Sequence, residues 1–322
     1  MSRVAGYRKI LVAMDFSAHS EAALRQAVWV ARQSRAQVVL AHCRPNLRNV
    51  VHSASTKAKL DLLLGEGNEF EREVREKSDH RMRQLIAGIQ ATDLDIRCET
   101  LLGEPFVELI HAVQQEGYDL VLAGTRGLAA WQEFFVGSTT QRLARKCPAS
   151  VWVCKAEHIG PPKVVLAATD FSDVSRRAVM EGLWVAQQAS APLHLLHVID
   201  SMDIPEDVIS KVPGGSSLRE EINEAAKHRL DEFLASLDTN AAQVHSHLSW
   251  GTPWQEIRRF AAHQEADLIA MGTVGRSGIK GVLLGSTAEK VLTTCDCSLL
   301  TVKPEGYESP ISPPSWPLHP PG

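Results

Sequence analysis

Short apolar runs bounded by turn residues alternate along this chain with longer stretches of helical period. Lys9-Ile-Leu-Val-Ala-Met14 is apolar nearly throughout and stops at Asp15-Phe16-Ser17, the pattern of a strand buried on both faces. A helical pattern follows through Ala22, Leu24, Ala27, Val28 and Ala31, and Val38 to Ala41 reads as a second buried strand. Leu60 to Ile89 predicts helix in two pieces, interrupted at Gly65 and Gly67, with Phe70, Val74, Met82, Leu85 and Ile89 on one face. Leu94 to Leu101 alternates like a strand. Pro105 opens a helix as an N1 proline, Asp119 to Ala123 is a fourth strand, Ser138 opens a fourth helix and Ser150 to Cys154 is a fifth strand. The order then recurs. Strands are expected from Lys163, over Leu193 to Val198, Gln243 to Ser249, Asp267 to Met271 and Leu299 to Lys303, with helices from Asp173, Leu218, Pro253 and Ser286 between them. Such alternation predicts an α/β fold of two tandem doubly wound, five-stranded parallel sheets in the order 3-2-1-4-5.

The recurrence is also visible residue by residue. Gly124-Thr-Arg-Gly127 leading to Gly137-Ser138-Thr139 and Gly272-Thr-Val-Gly275 leading to Gly285-Ser286-Thr287 both fit G-x2-G-x9-G-S, 148 positions apart. Gly103-Glu-Pro105 matches Gly251-Thr-Pro253, and Tyr118-Asp119 matches Ala266-Asp267, at the same offset. Upstream the offset is 155, which aligns Asp15-Phe-Ser17 with Asp170-Phe-Ser172 and His42 with His197. A repeat this long is the size of a domain rather than of a solenoid unit. The chain therefore divides into residues 1–156, residues 163–304 and a tail of 305–322, joined by a linker stiffened at Gly160-Pro161-Pro162.

Composition narrows the function. With 34 basic against 38 acidic residues and no basic run, electrostatic capture of nucleic acid is not expected. The first residues lack the apolar core of a secretory signal, no stretch reaches the roughly 20 apolar residues of a membrane helix, and six scattered cysteines suit a reducing compartment. The expectation is a cytoplasmic protein with no membrane contact. Seven prolines after Val302 predict an extended tail on or near the surface.

Ligands of doubly wound sheets bind beyond the carboxyl ends of the strands, where strand order reverses. Asp15 follows the first strand and Gly124 the fourth, neighbours in this topology, so both edges line one crevice. Glycines let the loop bend, and Gly137-Ser138 presents amides and a hydroxyl at a helix start, where the positive end of the dipole suits phosphate. An aspartate there can accept hydrogen bonds from a ribose or a base. The same reasoning covers Asp170, Gly272, Gly275, Gly285, Ser286 and Thr287.

On these residues the chain, from Arg8 to Lys303, resembles tandem universal stress proteins. Gly272-Thr-Val-Gly-Arg276 and Lys303-Pro-Glu-Gly-Tyr307 make it similar to the E-type. The resemblance implies an adenine nucleotide alpha hydrolase-like fold and a stress-response regulator that binds ATP or AMP, with Mg as a companion ion and turnover limited to slow hydrolysis. It also implies contacts from Asp170 to ribose or adenine, from the Val198 backbone to the adenine edge, and from Gly272, Gly275, Gly285, Ser286 and Thr287 to phosphates. The first-half counterparts are Asp15, Cys43, Gly124, Gly127, Gly137, Ser138 and Thr139, where Cys43-Arg-Pro45 departs from the family's Val-Ile-Asp pattern. Arg276 and Lys280 without an acid, against Arg126 with Glu133, favour nucleotide in the second half.

Other patterns bear on the alternatives. No G-x4-G-K-[ST] or G-x-G-x-x-G occurs, and no nucleophile set is evident, so no catalytic residue is assigned. Cys295-Asp-Cys297 reads as buried thiols and His245-Ser-His247 as an exposed strand face, which makes a thiol or metal sensor the weaker alternative. An interaction scaffold with vestigial sites is the other. The apolar fifth strands, Val151-Trp-Val and Leu299-Leu-Thr-Val, need covering, so the two halves are expected to pair through them as a pseudo-dimer. A homodimer of whole chains stays open.

Overall fold

The computed structural model describes residues 6–44, 69–125, 136–157, 159–201, 215–239, 242–274 and 284–314. The first half runs β1 (Lys9–Met14), α1 (Ala18–Ser34), β2 (Gln37–Arg44), α2 (Glu69–Gly88), β3 (Ile96–Leu102), α3 (Pro105–Glu116), β4 (Leu120–Gly124), α4 (Ser138–Lys146) and β5 (Ser150–Cys154). The second runs β6 (Val165–Thr169), α5 (Asp173–Ala189), β7 (Leu193–Asp200), α6 (Gly215–Ala235), β8 (Val244–Gly251), α7 (Pro253–His263), β9 (Leu268–Gly272), α8 (Ser286–Thr294) and β10 (Ser298–Val302). The first piece of the helix expected between Leu60 and Ile89 falls among residues 45–68, outside the described residues.

Each half is a parallel sheet in the expected order, and the two fuse into one ten-stranded sheet, β3-β2-β1-β4-β5-β10-β9-β6-β7-β8. The joint is antiparallel, with Leu299 opposite Val153, Leu300 opposite Trp152 and Thr301 opposite Val151. Both apolar fifth strands are thereby removed from the sheet edge, and every residue of β5, β6 and β10 is buried. Successive residues point to opposite faces, so Ile10 and Val12 join α1, α2, α5 and α6 in one core layer while Leu11 joins α3, α4, α7 and α8 in the other.

The chain after β10 returns to the first half. Lys303 is buried, and its Nζ donates to the carbonyls of Ala144 (2.6 Å) and Arg145 (2.8 Å) in the last turn of α4. Tyr307 Oη donates to the Arg145 carbonyl as well (3.1 Å). The Lys-Pro-x-x-Tyr segment is thus a cap for carbonyls that the helix itself leaves unsatisfied. The tail then crosses α3, where Gln114 Nε2 donates to Ile311 O (2.9 Å) and His111 Nε2 lies 3.2 Å from Ser312 O.

Candidate functional site

Both Asp-Phe-Ser segments build the same device. Asp170 Oδ1 accepts the N–H of Ser172 (3.1 Å) and its hydroxyl (2.6 Å), while Ser172 Oγ accepts the N–H of Ser175 and caps α5. Closing this turn puts Phe171 at φ 65°, a conformation that costs energy for a bulky residue. Asp15, Ser17 and Ser20 repeat the contacts at 3.0, 2.5 and 3.2 Å, with Phe16 at φ 63°. Each ring is held by neighbours. Phe171 lies 4.3 Å from the His197 ring with the Arg229 guanidinium 4.7 Å from its centroid, and Phe16 lies 4.6 Å from His42 with Arg81 at 4.1 Å. Both aspartates therefore carry a capping duty in addition to the acceptor role expected from sequence.

The strand beside this turn outruns its neighbour. The β6 ladder ends with Thr169 opposite His197, whereas β7 continues against β8 to Asp200 opposite Gly251. Leu193 N–H and Ser201 N–H both donate toward the β8 side, to Gln243 O and Gly251 O. Alternation then turns the carbonyl of Val198 the other way, toward the space past the end of β6. Cys43 is placed alike, because β1 ends with Met14 opposite His42 while β2 continues against β3 to Arg44 opposite Leu102.

Gly124 and Gly272 each stand where a helix start presses on the end of a strand. A Cβ on Gly124 would lie 2.6 Å from the His19 carbonyl carbon, and one on Gly272 would lie 2.8 Å from Val174 Cγ1 and 3.3 Å from Ser175 N. Past them the chain is tied off: Gly137 N–H donates to Thr125 O (2.7 Å) and Gly285 N–H to Thr273 O (2.6 Å). These two glycines sit at φ −58° and −67°, open to any residue, so what they contribute is bare backbone. No side chain among the described residues caps α4 or α8, which leaves the first-turn amides around Ser138-Thr139 and Ser286-Thr287 facing outward.

Asp170, Val198, Gly272, Gly285, Ser286 and Thr287 therefore gather at one carboxyl edge, as do Asp15, Cys43, Gly124, Gly137, Ser138 and Thr139 at the other. Gly127, Gly275 and Arg276, with the loop charges Arg126, Glu133 and Lys280, lie outside the described residues. Sequence reasoning missed the tilted Phe–His pairs and the Lys303 cap.

The thiols and imidazoles read as follows. Burial pushes Cys295 up to about 11 and Cys297 up to about 12, so both stay protonated at neutral pH, which weighs against a thiol sensor. His245 and His247 share a strand face as expected, and β7 adds His194, whose Nδ1 lies 2.9 Å from His247 Nε2. Burial first, then repulsion from neighbouring imidazoles (His247 and His245 on His194, His245 on His247), lowers the pKa values of His194 and His247. Among the described residues no three His, Cys, Asp or Glu side chains are grouped to hold a metal ion. Among the same residues no helix is long and apolar enough to cross a membrane.

Comparison with known proteins agrees with the doubled architecture. The model of the universal stress protein family matches twice, over residues 6–155 and 162–303. The chain is 25% identical over 316 residues to a universal stress protein E homolog of Haemophilus influenzae, covering 92% of this chain and 98% of that one. It is 27% identical over 219 residues to universal stress protein E of Escherichia coli, covering 64% and 67% respectively. A solved universal stress protein from Archaeoglobus fulgidus shares the fold at a TM-score of 0.62 and 20% identity, over 92% of this chain and 98% of that one. The chain belongs to the universal stress protein family, carrying two tandem copies of its domain.

Proposed function

We propose that this stress protein binds an adenine nucleotide, ATP or AMP, chiefly in its second half, and answers stress by changing conformation or partner when the site fills. One observation carries the reading: the Val198 carbonyl, the Asp170 carboxylate and the outward amides of α8 meet at the same edge of the sheet. An adenine edge matches backbone groups in a plane, ribose hydroxyls match a carboxylate, and phosphates match amides at the positive end of a helix. Mg enters with a triphosphate in this reading. No residue is assigned to catalysis, and any hydrolysis is slow.

The second half is the stronger candidate on described residues alone. In the first, Thr140 Oγ1 donates to Gly124 O (2.7 Å) and pins α4 to the end of the strand, whereas Ala288 holds that place in α8 and has no hydroxyl. Arg145, in the last turn of α4, pairs with Glu289 in the first turn of α8, so the cation and the acid there offset each other. In the other half the equivalents of Arg145 and Glu289 are Thr293 and Gln141, both uncharged.

The test is chromatography of nucleotide released on denaturing the purified protein, followed by calorimetric titration of the whole chain with ATP, ADP and AMP. Retained adenylate or saturable binding supports the proposal. If nothing is retained and nothing titrates, the cradles are vestigial and the protein is a scaffold.

A further inference from the structure

A cavity of about 600 Å³ opens where the halves join, lined by Tyr7, Tyr118, Asp119, Arg177, Glu181 and Lys303 among others. Its size is that of a small-molecule site. Glu181 lies at its inner wall, 8% exposed, and accepts hydrogen bonds from Tyr7 Oη (2.8 Å) and Ser150 Oγ (2.9 Å). Arg177 stands one turn earlier on α5 and spends one nitrogen on the Lys303 carbonyl (2.9 Å). Lys303 itself is committed to the carbonyls of α4.

The duplication supplies a control. Across the pseudo-two-fold, Glu181 becomes Gln26, Arg177 becomes Ala22 and Tyr118 becomes Ala266. There the chain itself occupies the place: the linker's Gly160 donates its N–H to Gln26 Oε1 (3.0 Å). The flank that is filled by peptide thus sets a neutral amide against an N–H donor. On the open flank the acceptor is a carboxylate whose two oxygens take the Tyr7 and Ser150 hydroxyls, with the Arg177 guanidinium one turn away on the same cavity wall. A buried carboxylate that packing does not require is a mark of a ligand site.

We propose that this cavity binds a small amino-acid-like zwitterion, its ammonium group toward Glu181, its carboxylate toward Arg177, and its hydrocarbon part on Val113 and Met180. Burial raises the Glu181 pKa to about 6, against the pull of Tyr7, Ser150 and Arg177. An ammonium partner would lower it again, so affinity falls as pH drops below 6. The site is independent of the nucleotide reading.

The experiment is calorimetry and thermal unfolding of the full chain with single L-amino acids, and with methylamine and acetate, which each carry one of the two charges. At least one amino acid should bind and raise the unfolding midpoint, with methylamine and acetate far weaker. Arg177→Gln and Glu181→Gln should each weaken binding about tenfold or more, since each removes a charge-assisted bond. Glu181→Gln is expected to fold, because Gln26 holds the same place in the other half. The proposal is overturned if no amino acid binds, if methylamine or acetate binds as well as any amino acid, or if both variants bind as the parent does.

Discussion

The two halves share backbone, caps and even the tilted Phe–His pair, yet they differ where a nucleotide would sit. In the first, the strand end and cradle helix are drawn together: His19 backbone presses on Gly124, and Thr140 bonds to its carbonyl. In the second, the contact at Gly272 is made mainly by the Val174 side chain, and Ala288 replaces the threonine. The same fold thus carries one tightened edge and one looser edge. Duplication preserves architecture through many weak constraints, while a few side chains set how tightly each copy's strand end is packed.

Replacing the strand-end glycines is the sharpest way to break this comparison. At Gly124 a methyl would enter the backbone of α1, which cannot yield without moving the helix. Gly124→Ala should cost about 3 kcal/mol, the upper end for overpacking. At Gly272 the Val174 side chain can turn aside, so Gly272→Ala should cost only about 1 kcal/mol. Urea unfolding of the two variants measures both; equal losses would show that the halves are packed alike.

The binding comparison comes next. Gly285→Glu puts a carboxylate at the start of α8, where phosphates are proposed to lie, and should weaken adenylate binding about 100-fold, or about 3 kcal/mol. Gly137→Glu should leave it within about twofold, because the first cradle is not the main site. Calorimetry reads both, and the reverse ranking would move the nucleotide to the first half.

How far could the sequence go? The repeat, the strand order and the place of Asp15 and Asp170 at the carboxyl ends of their strands were legible, because hydrophobic period and the positions of turn residues are local signals. Phe16 and Phe171 in the left-handed region were not, because phenylalanine has no such preference; the cue lay in the aspartate two residues before the serine, which closes the turn. The bond from Tyr7 to Glu181 spans 174 positions and exists only because β5 and β10 pair antiparallel. His194 joins His247 across a strand pair in the same way. Contacts set by register between distant segments leave no trace in a single sequence.

The Glu181 and Gln26 pair makes a smaller, pH-dependent prediction. The folded-state pKa of Glu181 is raised, from an ordinary value of 4.5 to about 6, so the folded protein holds its proton more tightly than the unfolded chain. This favours the fold below pH 4.5 and the advantage is lost as pH rises through 6. Glu181→Gln should remove that slope and leave the protein about 2 kcal/mol more stable at pH 7. Unfolding midpoints between pH 4 and pH 8 decide it, and an unchanged slope would place the titration elsewhere.

The least of the effects is also the one whose sign separates the halves. Thr125 and Thr273 stand at the same position after β4 and β9, and each backbone N–H donates to the end of the fifth strand, at 3.1 and 3.0 Å. Their hydroxyls differ. Thr273 Oγ1 donates to the Val302 carbonyl (3.2 Å), while Thr125 Oγ1 is buried with no partner among the described residues. An unpaired buried hydroxyl costs free energy, and valine replaces it with a methyl of the same shape. Thr125→Val should therefore stabilise the protein by about 1 kcal/mol, and Thr273→Val should destabilise it by about the same amount. Shifts of opposite sign in chemical unfolding would show that the two cradle bases, alike in backbone, have diverged in how well they are satisfied; a loss in both would mean that Thr125 finds a partner in solution.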